Sequence, residues 1–377
     1  MRAFSAGTKI PDAYRAGAYL GEQLKPLMPE VVFLFTTIDY GDSEEILEGL
    51  HDGLEHDCIV IGSSGDGFYE TEGTSDFGAS VLGLNSDGVV QWQLHIGKNV
   101  SSDPIAATRT ALRNHQHVNL FFMISDFHAD ASLVETVLEH EIHVPVIGGF
   151  AADDQQWSKC ALYANREVLS DCVVALSATG PIQFAIYIEN SITPMGNIGI
   201  IDQVEGNRIE SINGLPAMRF IEKETGKPIL RSDRGVTSLM IINEHEHDIK
   251  RLRSIAQDIG QSENTLQLYG GIAVGQKVQV CSAQPDLIIE ETYKLAALAA
   301  AENTISPVAA IIVSCAGRKN LLGARLHNET TAFTQYFGKL PLVGFPSLGE
   351  IGPLRTANGY SGNLFHNMTY ALLLIGL

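Results

Sequence analysis

Residues 57–67 read DCIVIGSSGDG, an apolar run that stops abruptly in glycine and serine, and this stretch decides the fold class. Four consecutive apolar residues bounded by turn formers fit a strand buried on both faces, which implies a sheet covered by helices. On its N-terminal side, EVVFLFTTID (Glu30 to Asp39) reads as a second such strand. Between them SEEILEGL has helical spacing, with Ser43 placed as N-cap. On the C-terminal side, FGASVLGLN and VVQWQLHIG alternate as strands do, joined by the turn residues Ser86, Asp87 and Gly88. The unit is β-α-β-glycine loop-β-β, preceded in residues 1–29 by an amphipathic helix that begins near Asp12.

The same order recurs twice. After a helix over roughly 102–114, the strand VNLFFMISD leads to a helix near 132–140, the strand VPVIGGFAADD, and then KCALYAN and DCVVALSAT. Near the C-terminus SPVAAIIVSC precedes a helix near 328–336, then LPLVGFPSLGEIG, GYSGNLFHN and MTYALLLIG. The expectation is a mixed α/β (α+β) fold, with mixed sheets flanked by helices and one supersecondary unit used about three times. Between the second and third copies the turn signals Gly206-Asn207 and Asn213-Gly214 mark a hairpin that opens into a helix near Pro216. That places a boundary at 214, dividing the chain into segments 30–214 and 215–377. Two strands, VTSLMIIN and QLYGGIAVGQKVQVCSA, follow. A long helix, DLIIEETYKLAALAAAEN, then carries Asp286 as its cap and Glu290 and Glu291 in its first turns.

Composition limits the function classes. The chain has 377 residues and a formal charge of −19, with no basic patch to neutralise phosphates, so nucleic acid and anionic membrane surfaces are set aside. Five cysteines without a CxxC pair do not spell a disulfide framework or a structural zinc site; a reducing, cytoplasmic setting is expected. The N-terminus lacks the apolar core of a signal peptide, and no apolar run reaches the 18 residues of a spanning helix, so no membrane insertion is expected.

Three glycine-rich strand exits stand out: Gly62 and Ser63, Gly148 and Gly149, and Gly344 onward. At such exits backbone amides can converge on a small ligand, although neither a phosphate loop nor a dinucleotide fingerprint is present. Cys315 ends a buried strand beside Arg318, with Glu350 and His366 in the following elements. Those residue types could form a thiol nucleophile with an oriented base, or equally a buried thiol, an Arg318–Glu350 pair and a hydrogen-bonded imidazole. The cluster Asn243–Asp248 lacks HExxH and HxxxH and reads as a solvated helix start with Glu246 and Lys250 paired. CxxCH is absent, while a haem held by a single His or Cys stays open.

The strings IVIGSSGDGFYETEG, VIGGFAADD, RIESINGLPAM, VSCAGRKNLLG, LVGFPSLGEIGP and FHNMTYALLLIG, in this order, resemble the FIST family over roughly residues 30–377. The most specific part is Cys315, Gly317 and Arg318, then Gly344, Gly349, Glu350, Gly352 and Pro353, then His366, Asn367 and Thr369. The first loop, Gly65-Asp66-Gly67-Phe68, departs from the family's usual order of a small residue, Gly and Glu. The resemblance implies FIST N and FIST C domains and a sensory input module that binds small ligands, amino acids being suggested. One bacterial stand-alone branch binds haem, senses nitric oxide and regulates a histidine kinase. No kinase or cyclase domain is read in this chain, which fits a stand-alone sensor. The leading expectation is therefore a non-enzymatic cytoplasmic sensor for an amino-acid-like metabolite that signals to a separate partner. Its cleft would be lined by Gly62, Ser63, Gly148, Gly149, Asp153, Cys315, Arg318, Gly344, Glu350, His366 and Asn367. Arg318 would meet a ligand carboxylate, Glu350 an ammonium, and the amides of Gly149 and Gly344 the rest. Two alternatives stay open: a haem-binding nitric oxide sensor regulating a histidine kinase or cyclase, and a Cys315-dependent hydrolase or transferase.

Overall fold

The computed structural model describes residues 1–41, 44–230, 233, 235–242, 251–256, 264–357 and 359–377. Ser43 as an N-cap, the cluster Asn243–Asp248 and the pair Glu246–Lys250 lie outside the described residues.

The chain builds one unit three times. The first runs β1 (Arg2–Thr8), α1 (Ala13–Leu24), β2 (Val31–Thr37), α2 (Glu45–Leu54), β3 (Ile59–Gly65), the hairpin β4 (Phe68–Glu70) and β5 (Gly73–Ser75), and β6 (Ala79–Asn85). The second repeats it as β7 (Gln91–Lys98), α3 (Pro104–Ala111), β8 (Leu120–Ser125), α4 (Ala131–His140), β9 (Val146–Phe150), the hairpin β10 (Leu162–Ala164) and β11 (Glu167–Leu169), and β12 (Cys172–Thr179). The third opens with β13 (Gln183–Asn190). An insertion interrupts it: β14 (Ile192–Glu205), β15 (Arg208–Ile212), β16 (Leu215–Pro216), α5 (Ala217–Thr225), β17 (Thr237–Ile242), β18 (Arg251–Ser254), β19 (Leu266–Gln267) and β20 (Lys277–Ala283). It resumes with α6 (Pro285–Glu302), β21 (Pro307–Cys315), α7 (Ala316–Leu322), α8 (His327–Phe337), β22 (Leu342–Ser347), the hairpin β23 (Glu350–Thr356) and β24 (Gly359–His366), and β25 (Thr369–Gly376).

Three six-stranded sheets share one plan. Their orders are β1-β6-β2-β3-β10-β11, β7-β12-β8-β9-β23-β24 and β13-β25-β21-β22-β4-β5, and the insertion forms a separate sheet. In each, two parallel strands joined by a helical crossover sit beside an antiparallel strand from the end of the same unit. The last two strands are always a hairpin borrowed from another unit. Unit one lends β4 to β22, unit two lends β10 to β3, and unit three lends β23 to β9. An open sheet edge presents a row of unpaired N–H and C=O groups, and each borrowed hairpin closes one. No unit can leave without opening its neighbours' sheets.

The glycines at the strand exits serve this packing. Gly62, Gly148 and Gly344 lie inside β3, β9 and β22, opposite Leu34, Met123 and Ile312 in the ladders. A Cβ at these positions would stand 1.7, 1.7 and 2.0 Å from the facing carbonyl oxygens. They are in equivalent places for a backbone reason, and none of them lines the cavity at the ends of β21 and β22.

The sheets meet around a shared core in which Phe35 stacks on Phe345 at 4.8 Å and Phe33 meets Phe122 edge-on at 5.2 Å. Each such ring contributes roughly 1.5–3 kcal/mol by leaving water. On the outside of the first sheet α1 and α2 approach through Gly17, Gly21, Gly49 and Gly53, where a Cβ would meet the opposite backbone at 2.0–2.4 Å.

Several expectations change. The unit begins one strand and one helix earlier than its sequence suggests, and β1 precedes the helix expected in residues 1–29. FGASVLGLN does not alternate: β6 is buried throughout, because it lies inside a sheet covered on both faces. It pairs with β1 and β2, while β7 pairs with β12 in the next sheet, so the turn at 86–88 joins two sheets. Asp286 does not cap α6. Gln284 holds that position, and the Asp286 carboxylate accepts from Arg325 at 2.6 Å. Glu290 and Glu291 lie beyond the first turn and flank Lys294 at 2.7 Å each. Among the described residues no helix is long and apolar enough to cross a membrane.

Candidate functional site

In open α/β sheets ligands collect at the carboxyl ends of parallel strands, and here β21 and β22 end at Cys315 and Ser347. A cavity of about 330 Å³ lies there, at the small end of ligand-site volumes. Three remote parts of the chain wall it. The third unit supplies Cys315, Asn320, Ser347 and Asn367; the insertion supplies Ser254 and Tyr269; the loop between β9 and β10 supplies Gln155 and Trp157.

That loop is held in an unusual shape. Asp154, Gln155 and Trp157 have φ of 56°, 62° and 56°, a region that costs non-glycine residues on the order of 1–3 kcal/mol each. The Asp153 carboxylate offsets this by accepting from the amides of Trp157 (2.9 Å), Ser158 (2.6 Å) and Lys159 (3.2 Å). Asp66 Oδ1 accepts the Asp154 amide at 2.7 Å, and Gln155 Nε2 donates to Asn320 Oδ1 at 2.7 Å. Trp157 is thereby stacked on Tyr269, with centroids 5.8 Å apart and planes 14° off parallel, and Phe127 meets it edge-on. Asp153 is thus a loop-shaping residue behind the site.

Two buried arginines hold the other walls. Arg253 of β18 donates to Glu135 of α4 at 2.5 Å and to the carbonyls of Gly271, Leu252 and Phe365. Glu135 also accepts from Arg251 (2.8 Å) and the Phe365 amide (3.0 Å). Burial raises its pKa, but the two guanidiniums outweigh that and hold it below the usual carboxylate range. This network ties the insertion to unit two and to β24. Ser254, at its end, donates its amide to Asn367 Oδ1 at 2.9 Å.

Arg318 is fully buried and committed elsewhere. Its Nε donates to Glu329 at 2.8 Å, and its terminal nitrogens donate to Thr292 (2.6 Å) and Ser191 (3.2 Å). It therefore pairs with Glu329 and not with a ligand carboxylate or Glu350. Glu350 lies behind Cys315, whose thiol it faces, with Oε2 accepting from the Thr369 hydroxyl (2.8 Å) and amide (3.2 Å) and Oε1 without a close hydrogen-bond partner among the described residues. Burial pushes its carboxyl up to about 8, so at neutral pH it is not the anion an ammonium would need. Burial, aided by Glu350, also pushes the Cys315 thiol well up. His366 donates Nε2–H to the Gly352 carbonyl at 2.9 Å, and burial lowers its pKa to about 4.

Of the residues expected to line the cleft, Cys315 and Asn367 reach the cavity wall, and so does Gly317 from the most specific part of the resemblance. Gly149 pairs with Glu350 in the β9–β23 ladder, and Ser63 is buried in β3 with its hydroxyl unpartnered. Trp157, Tyr269, Ser254 and Asn320 were missed. Trp157 alone carried a signal, as one of two tryptophans in the chain and set in a polar loop.

The haem of the resembling branch requires an imidazole or thiolate facing an open cavity. The described residues on this wall include no imidazole, and burial keeps Cys315 toward its thiol form, so they do not fit that group. Among the described residues no cluster of three or more His, Cys, Asp or Glu could hold a metal ion.

Comparison with known proteins adds the following. A family model described as the FIST N domain matches residues 30–215, and one described as the FIST C domain matches residues 221–353. An uncharacterised protein of Methanocaldococcus jannaschii is 21% identical over 229 residues, covering 57% of this chain and 45% of that protein. An uncharacterised protein of Mycobacterium tuberculosis is 24% identical over 228 residues, covering 58% of each. The chain spans about half the length of the curated relatives it matches. Among solved structures, Thermotoga maritima PurL complexed with FGAR aligns at 11% identity and a TM-score of 0.22, over 99% of this chain and 72% of that one. A likeness of that size carries no argument.

Proposed function

The chain belongs to the FIST family, whose domains are sensory modules of signal transduction, and from this we propose a non-enzymatic receptor for a small ligand. The ligand occupies the cavity at the ends of β21 and β22, and its presence is passed to a separate partner protein. The observation that carries this reading is the make-up of the wall: second unit, third unit and insertion each contribute, so one small molecule touches all three at once. A ligand shifts a conformational equilibrium only by binding one arrangement better than another, and a site assembled from separate parts provides that difference.

A Cys315 nucleophile is less well supported. A reactive cysteine is a thiolate lowered by a nearby cation, whereas this thiol is raised by burial and by a neighbouring carboxyl group.

The test is a thermal-shift screen of millimolar metabolites on the full chain and on Asn320→Trp, which places a large ring at the exposed rim of the cavity. A ligand at 100 times its Kd stabilises the native state by about 2.7 kcal/mol. The expected result is a compound that raises the melting temperature of the wild type and not of a normally folded Asn320→Trp. Failure to find any stabiliser, or equal shifts in both proteins, overturns the reading.

A further inference from the structure

We infer that the ligand is an uncharged, planar heterocycle bearing a lactam or amide edge, the chemistry of a nucleobase; this rests on the cavity being the ligand site. Three observations converge on it.

Among the described residues the wall presents no Asp, Glu, Lys, Arg or His side chain. Described ionisable groups behind it are already engaged. Arg318 serves Glu329, Arg253 serves Glu135 and three carbonyls, and Lys319 contacts the Asp66 carbonyl, Asp76 and Asp154. Asp153 is consumed by three loop amides, and Glu350 is held toward its neutral form. A zwitterion would lose its hydration here and find no counter-charge among the described residues, which is strongly unfavourable. A neutral molecule loses far less.

Next, the wall carries the parallel rings of Trp157 and Tyr269, fixed by a loop whose backbone strain is held in place by Asp153. An aromatic wall favours a flat ring with a π face over a saturated chain of equal size.

The rim then supplies a donor and an acceptor. The bond from Gln155 Nε2 to Asn320 Oδ1 leaves Gln155 Oε1 as an acceptor and Asn320 Nδ2 as a donor, with no other hydrogen bond to either among the described residues. A lactam offers a carbonyl and an N–H, groups that such a donor and acceptor can take up, and carboxamide side chains read nucleobase edges. Asn367 holds a further N–H after its bonds to Ser254 and His366.

The experiment is calorimetric titration of the full chain with uracil, hypoxanthine and nicotinamide, set against glutamate, lysine and phenylalanine. Tyr269→Ala, Asn320→Asp and the probe 1,3-dimethyluracil, which lacks N–H, complete it. The expected result is saturable binding of at least one neutral heterocycle, weakened tenfold or more by Tyr269→Ala and by Asn320→Asp, and tenfold or more weaker binding of 1,3-dimethyluracil than of uracil. Amino acids that bind in an Asn320→Trp-sensitive manner while the heterocycles do not would overturn the ligand class and leave the receptor reading standing. Heterocycle binding that ignores both substitutions would place it elsewhere and overturn the inference. Silence from every compound in the titrations and in the thermal screen would remove both.

Discussion

Glutamine at position 350 should change the pH dependence of stability in a way that geometry alone dictates. Glu350 is fully buried, one oxygen bonded to Thr369 and the other without a close hydrogen-bond partner among the described residues, and burial raises its carboxyl from 4.5 to about 8. Between those values the unfolded chain has released the proton that the native protein keeps. The native state then binds more protons, so stability falls as pH rises, by about 1.4 kcal/mol per pH unit. Over a window of about three and a half pH units the loss is roughly 5 kcal/mol, complete near pH 8. Glutamine keeps the Thr369 bonds through its amide oxygen and cannot ionise. The stability of Glu350→Gln relative to wild type should therefore increase from pH 4.5 to 8, with a melting-temperature difference that widens on the order of 10 °C. Thermal and urea unfolding of both proteins at pH 5, 6.5 and 8 measures it. The comparison cancels the other titrating groups. Asp66, raised by burial to about 6, loses stability with rising pH in both proteins. His366, lowered to about 4, does the reverse in both, because below 6.5 the unfolded chain takes up a proton the native state refuses. Parallel pH profiles for wild type and variant would refute the reasoning.

Three further outcomes are expected. Gly49→Ala places a methyl 2.0 Å from the Tyr14 carbonyl, forcing α1 and α2 apart; urea unfolding should show a loss of roughly 1–3 kcal/mol despite alanine's better helix propensity, and an unchanged midpoint would contradict it. Arg253→Met leaves Glu135 buried with only part of its compensation, so the same measurement should show about 3–5 kcal/mol of destabilisation, much of it recovered when Glu135→Gln is added. Native Cys315 should react with iodoacetamide far more slowly than in denaturant, followed by peptide mass spectrometry; equal rates would revive the nucleophile reading.

The sequence showed strands where apolar runs met glycine, and the threefold recurrence was visible because β3, β9 and β22 share that ending. The start of the unit was not. The edge strand β1 is only partly buried, and β7 was attached to the preceding unit because sequence neighbours look like hairpin partners. At the site, Cys315, Gly317 and Asn367 were legible from the resemblance. Arg318 and Glu350 misled, because residue type reveals charge but not whether Glu329 or burial has already taken it up.

The alternation of elements, the mixed α/β class, the repeated crossover and the family follow from the sequence alone, since each rests on local hydrophobic pattern and strand-ending glycines. The exchange of hairpins among the three sheets, the cavity and the make-up of its described wall were decided only in the tertiary structure. Those features depend on contacts between Tyr69 and Gly344, Trp157 and Tyr269, and Ser254 and Asn367. Local pattern says which face of a segment seeks burial, but the choice of partner is made by backbone groups and rings that meet only once the chain has closed on itself.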